Sequence, residues 1–128
     1  MKRHRVVLVD DMPEVIEYVG RILREENYEV IASTVNSQVV LEMAAVREAD
    51  VIVLDISMPG LNGIELAKSL RASGCRAAIV FLSADENLME DAMKVDGSAF
   101  VSKHRLSSDL VVAIRECLAG RVFFSATE

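Results

Sequence analysis

Cysteine, glycine-rich loops, long apolar runs and surplus positive charge are all scarce in this sequence, and each shortage narrows what the chain can do. No apolar stretch approaches the roughly 20 residues that a membrane span needs, so a chain that does not enter a membrane is expected. Met1 to Arg5 leads straight into a short apolar run ending in acids, which is unlike a signal peptide. The two cysteines, Cys75 and Cys117, show neither CxxC nor metal-ligand spacing, so two free thiols in a reducing cytoplasm are expected. No glycine-rich loop of the nucleotide-binding type follows the first apolar run, which weakens a dinucleotide or nucleoside-triphosphate reading. Basic residues are scattered and the net charge is −6, which makes the chain a poor direct ligand for nucleic acid. The one basic cluster, Lys2-Arg3-His4-Arg5, is read as solvated.

What is present is the composition of one globular domain: 128 residues, 52% hydrophobic and 27% charged. Short apolar runs alternate with amphipathic segments. Val6 to Val9, Val30 to Ala32, Val51 to Leu54, Ala78 to Leu82 and Ala99 to Val101 read as strands. They are mostly continuous rather than alternating, as parallel strands buried on both faces require. Met12, Val15, Ile16, Val19, Ile22 and Leu23 follow helical spacing, and so do Leu110, Val111, Ile114, Cys117 and Leu118. Weaker helical patterns cover Val39 to Val46, Ile64 to Leu70 and Leu88 to Met93. Five β-α units in alternation predict an α/β fold, a doubly wound parallel sheet with helices on both faces. Residues 1–119 form the expected domain. Residues 120–128 leave the helical stripe and are read as a docked tail or the start of a linker.

Ligands of such sheets bind beyond the carboxyl ends of the strands. The chain places Asp10-Asp11, Asp55, Ser83-Ala84 and Ser102-Lys103 at those ends. Taken singly, each has a plain structural reading. Asp11 with Glu14, and Ser83 with Glu86, fit helix-capping boxes, and Lys103 fits a surface lysine. Proline and glycine at Met58-Pro59-Gly60 suit a tight turn in which Gly60 takes a positive φ. His4 and His104 read as surface residues, and Met43, Met58, Met89 and Met93 as packing or loop residues.

Together they make a chemical constellation. Clustered carboxylates repel one another and are costly to hold without a cation. Magnesium fits, because it takes hard oxygen ligands and is commonly bound by carboxylates together with phosphate oxygens. A carboxylate can attack phosphorus to give an aspartyl phosphate, and phosphoryl transfer depends chiefly on positioning and charge neutralisation. Lys103 and the Ser83 hydroxyl would supply part of that, and Ala84 leaves room for the incoming group.

Val-Asp-Asp at 9–11, Leu-Asp-Ile-Ser-Met-Pro-Gly-Leu-Asn-Gly at 54–63, Leu-Ser-Ala at 82–84 and Val-Ser-Lys at 101–103 resemble the receiver domains of two-component response regulators, in order and along essentially the whole chain. The resemblance implies a flavodoxin-like fold of strand order 2-1-3-4-5. It implies Asp55 as phosphoacceptor, and Mg2+ held by Asp10, Asp11, Asp55 and the main-chain carbonyl of Ser57. Lys103, Ser83 and Ala84 would bind the phosphoryl group, and Ser83 and Phe100 would act as the switch. It further implies a sensor histidine kinase as donor and a homodimer through the surface of the fourth helix, fifth strand and fifth helix. The only enzymatic act expected is the domain's own phosphorylation and dephosphorylation.

Two departures stand out. His104 follows the lysine where relatives often carry a proline with a cis bond, which leaves that peptide's geometry open. Phe100 replaces a frequent tyrosine, so no hydroxyl can signal there. The stretch Leu110 to Ser125 is similar to receivers of the NarL/FixJ type, which precede a helix-turn-helix output domain; a stand-alone receiver is the alternative. A small magnesium phosphatase is disfavoured because Ser57 interrupts a DxD pattern, and a pseudo-receiver because the acidic set is complete.

Overall fold

In the computed structural model, residues 3–59 and 62–125 are described. The Gly60 turn reading, Lys2 of the basic cluster and the last residues of the tail therefore lie outside the described residues. The strands are β1 (Arg5–Val9), β2 (Glu29–Thr34), β3 (Val51–Asp55), β4 (Ala78–Ser83) and β5 (Ser98–Ser102). The helices are α1 (Pro13–Glu25), α2 (Ala44–Glu48), α3 (Gly63–Ala72), α4 (Met89–Ala92) and α5 (Leu106–Leu118). All strand pairings are parallel, in the order β2-β1-β3-β4-β5.

Strands β1, β3, β4 and β5 are buried on both faces, which is why they read as continuous apolar runs, whereas the edge strand β2 stays partly exposed. Successive side chains point to opposite faces. Val7, Val9, Ile52, Leu54, Ile79, Phe81 and Phe100 therefore pack with Val46 of α2, Leu66 and Leu70 of α3 and Ala92 of α4. On the other face Val6, Leu8, Val53, Val80, Leu82 and Val101 pack against α1 and α5 through Val19, Leu23, Leu110, Ile114 and Cys117. Cys117 sits on the apolar stripe as expected, and both cysteines are free. His4 and His104 are both exposed.

Local chemistry corrects several details. Helix α1 starts at Pro13, whose missing N–H costs nothing in the first turn. Met12 has extended backbone (φ −99°, ψ 109°), is the N-cap and is 47% exposed, so it leaves the apolar stripe. Asp11 is accordingly not the cap. The expected helix over Val39 to Val46 is broken, because Met43 is extended (ψ 122°) between a 3-10 segment, Ser37–Glu42, and the short α2. Val39 and Leu41 are exposed, so little apolar burial drives a longer helix here. The helix expected over Leu88 to Met93 shrinks to α4, preceded by a 3-10 turn at Glu86–Leu88 capped by Asp85. The Ser83–Glu86 capping box does not form, because the Ser83 hydroxyl is engaged in a turn with Asp85.

Beyond α5 the chain turns at Gly120 (φ +77°), a conformation glycine adopts freely. It then runs parallel to β5. Phe100 N–H donates to the Phe123 carbonyl (3.1 Å) and Ser125 N–H to the Phe100 carbonyl (2.9 Å). Residues 123–125 thus dock on the domain along the outer edge of β5.

Candidate functional site

The strands' carboxyl ends bring the expected residues together. Asp10 follows β1, Asp55 ends β3, Ser83 ends β4 and Lys103 follows β5. Register aligns them, with Asp55 opposite Leu82 and Ser83 opposite Ser102. The Lys103 ammonium lies 3.0 Å from Asp10 Oδ2 and 3.4 Å from Asp55 Oδ2. Asp10, Asp11 and Asp55 each offer an oxygen, all within 4.8 Å of one another.

Two backbone amides orient the buried pair. Met12 N–H donates to Asp10 Oδ1 (2.9 Å), and Ser57 N–H to Asp55 Oδ1 (3.2 Å). The close entry of α3 fixes Asp55 from behind. A Cβ on Gly63 would stand 2.3 Å from the Asp55 carbonyl oxygen and 2.7 Å from the Ile56 Cα, so only glycine fits without moving the backbone.

Charge is left unbalanced. Asp10 and Asp55 are 2% and 1% exposed. Their Oδ2 atoms share one ammonium and accept no well-directed hydrogen bond among the described residues. Burial, then the Asp10 charge, push the Asp55 carboxyl up to about 6, against the pull of Lys103 and the Ser57 amide. Burial disfavours the Lys103 ammonium, but pairing with Asp10 and the charges of Asp55 and Asp10 outweigh it, and its pKa is raised. Three carboxylates against one ammonium, with buried oxygens lacking donors, fit a small hard cation with oxygen ligands.

Ser57 and Ala84, in the loops that follow β3 and β4, are both exposed. Ser83 is fully buried; its hydroxyl accepts from Asp85 N–H and donates to the Asp85 carbonyl, so it turns to its own loop rather than to Asp55. Phe100 is fully buried within the α3 and α4 side of the core. No cis peptide occurs among the described residues, which makes Lys103–His104 trans.

One polar group escaped sequence reasoning. Asp109 on α5 is 8% exposed and accepts from Ser125 Oγ (2.7 Å), Ser108 Oγ (2.9 Å) and Arg105 Nε (3.0 Å). Burial would raise its pKa, but these three bonds outweigh it and hold the carboxyl below the usual range. Ser125 Oγ in turn accepts from Ser102 N–H (3.0 Å). The only signal in the sequence was the polar Asp109 interrupting an apolar stripe.

The family model of the response regulator receiver domain matches residues 6–115, and the chain belongs to that family. It is 26% identical to the transcriptional regulatory protein DesR of Bacillus subtilis over 94% of this chain, and it spans 61% of DesR's length. Its fold is similar to the signal receiver domain of the response regulator NarL from Mycobacterium tuberculosis, with 26% identity and a TM-score of 0.83 over 94% of this chain and 100% of that one. It is also similar to the response regulator TrrA from Thermotoga maritima in complex with Mg(2+)-BeF, with 28% identity and a TM-score of 0.79 over 89% of this chain and 98% of that one. The chain is thus a receiver domain of two-component response regulators, related to transcriptional regulators. Among the described residues no helix is long and apolar enough to cross a membrane.

Proposed function

We propose that this domain is a phosphorylation switch in which Asp55 accepts a phosphoryl group from a sensor histidine kinase. The observation that carries the reading is the buried Asp55 carboxylate, with a shared lysine and two further carboxylates within 4.8 Å. The carboxylate attacks phosphorus, the bond from phosphorus to the donor histidine breaks, and the nitrogen leaves with its electron pair. Lys103 pairs with the phosphoryl oxygens, and the amide of Ser57 holds Asp55 in place. Ala84 leaves room for the group. The residues that would hold Mg2+ are Asp10, Asp11, Asp55 and the main-chain carbonyl of Ser57; when bound, the cation neutralises the charge of the carboxylates and the incoming phosphoryl group. The magnesium-bound TrrA supports the metal assignment. Apart from its own phosphorylation and dephosphorylation, the domain turns over no substrate.

The added charge biases Ser83 to swing from Asp85 toward the phosphoryl group and Phe100 to repack, altering the surface of α4, β5 and α5. That surface then governs homodimerisation. The domain works in the cytoplasm, and its output is transcription through a DNA-binding helix-turn-helix domain; the relative named as a transcriptional regulatory protein supports the transcriptional output.

Intact-mass analysis after incubation with Mg2+ and acetyl phosphate tests the reading. One labile phosphoryl adduct on the wild type, none on Asp55→Asn and none without Mg2+ is the expected result. An adduct on both proteins removes Asp55 as acceptor.

A further inference from the structure

The tail does more than cover an edge. Ser102 is fully buried and immediately precedes Lys103. Its N–H points away from β4 and is taken up by the Ser125 hydroxyl, from a residue 23 positions further on. The same hydroxyl donates to Asp109 Oδ2, which Arg105 and Ser108 also hold. Two residues back, the Phe100 backbone is bonded to the tail on both its N–H and its carbonyl. Ser125 itself is 1% exposed. The tail therefore grips the end of β5 at positions 100 and 102, and the next side chain is the ammonium that pairs with Asp10 and Asp55.

We infer that Ser125 is a positioning residue for Lys103, and that seating of residues 123–125 on β5 is coupled to occupancy of the Asp55 site. The inference rests on the phosphorylation reading above. A strand end at a sheet margin lacks a second backbone neighbour to set its register. Here a serine hydroxyl on the tail takes that place and ties the strand end to α5. The bond fixes where Lys103 emerges, because one residue of main chain separates the anchored amide from the lysine side chain. Coupling between two sites is reciprocal for binding. A seated tail that favours the loaded site must itself be held harder when the site is loaded. Whatever follows residue 125 in the chain then starts from a strand whose grip depends on Asp55.

Beryllium fluoride with Mg2+, a phosphoryl mimic, provides the test. Residue-resolved amide hydrogen exchange and the Ala84 amide resonance are followed on the full chain. Loading is expected to slow exchange of the Ser125 and Phe100 amides about fivefold, and Ser125→Ala to weaken beryllium fluoride binding by a similar factor. If the Ala84 amide reports binding while tail exchange does not change, the coupling is overturned and the phosphorylation reading stands. If Ser125→Ala lowers only the melting temperature and leaves the affinity of the folded protein unchanged, Ser125 is structural and the inference is overturned. If neither beryllium fluoride nor acetyl phosphate modifies the site, the phosphorylation reading fails and the coupling falls with it. Because the exchange measurement uses the wild type, it decides the matter even where the variant does not fold.

Discussion

Asp55 and Asp109 are both buried aspartates, yet their carboxyls shift in opposite directions. Asp55 is 1% exposed and rises to about 6. Asp109 is 8% exposed and falls below the usual range. Burial raises both; the difference lies in what surrounds them. Asp109 receives two hydroxyl donors and a guanidinium, which answer its charge within the fold. Asp55 receives one amide, half a share of Lys103 and the repulsion of Asp10. A satisfied buried carboxylate holds structure together, whereas an unsatisfied one costs stability that only a ligand can recover.

The contrast can be broken at its base. Gly63→Ala drives a methyl group into the backbone that carries Asp55 and is expected to destabilise the domain by about 3 kcal/mol. Urea unfolding measures the loss. Asp109→Ala should cost about 2 kcal/mol, since it leaves the buried Ser125 hydroxyl without its acceptor.

Asp55→Asn should act in the opposite sense. It removes a charge that burial penalises, and with it the repulsion of Asp10, and is expected to stabilise the metal-free protein by about 2 kcal/mol at pH 7. Equal or lower stability of Asp55→Asn in the same urea titration would show that Lys103 already balances the site.

The pH dependence sharpens the comparison. A carboxyl raised on folding binds its proton more tightly in the native state. The metal-free wild type should therefore lose stability relative to Asp55→Asn as pH rises from about 4 to 6, and the gap should stay constant above that window. The depressed Asp109 contributes stability that is present above the ordinary carboxylate range and is lost as pH falls below it. Melting curves of wild type, Asp55→Asn and Asp109→Asn between pH 3 and 7 separate the two. The smallest effect is expected from millimolar Mg2+, which should raise the wild type by about 1 kcal/mol and Asp55→Asn by less.

Much of the fold was legible because its signals are local. Continuous apolar runs marked β1, β3 and β4, and the 3.6-residue stripe marked α1 and α5. The middle helices were less legible. Exposed Val39 and Leu41 supply apolar residues without burial, so composition suggested a helix that packing does not support. The acidic residues were legible as candidates, since they follow directly on strands and a parallel sheet gathers its strand ends at one edge.

The sequence by itself determined the alternation of elements, the buried faces of the sheet and the set of side chains at its carboxyl edge. These follow from periodicity and chain direction. Tertiary structure alone decided which carboxylates Lys103 reaches, that Ser83 turns toward Asp85, and that Asp109 is satisfied while Asp55 is not. It also decided that the tail docks. Ser125 meets Asp109 and Ser102 from 16 and 23 residues away, and bonds between such distant positions leave no period in a sequence, because they depend on where two separately folded segments come to lie.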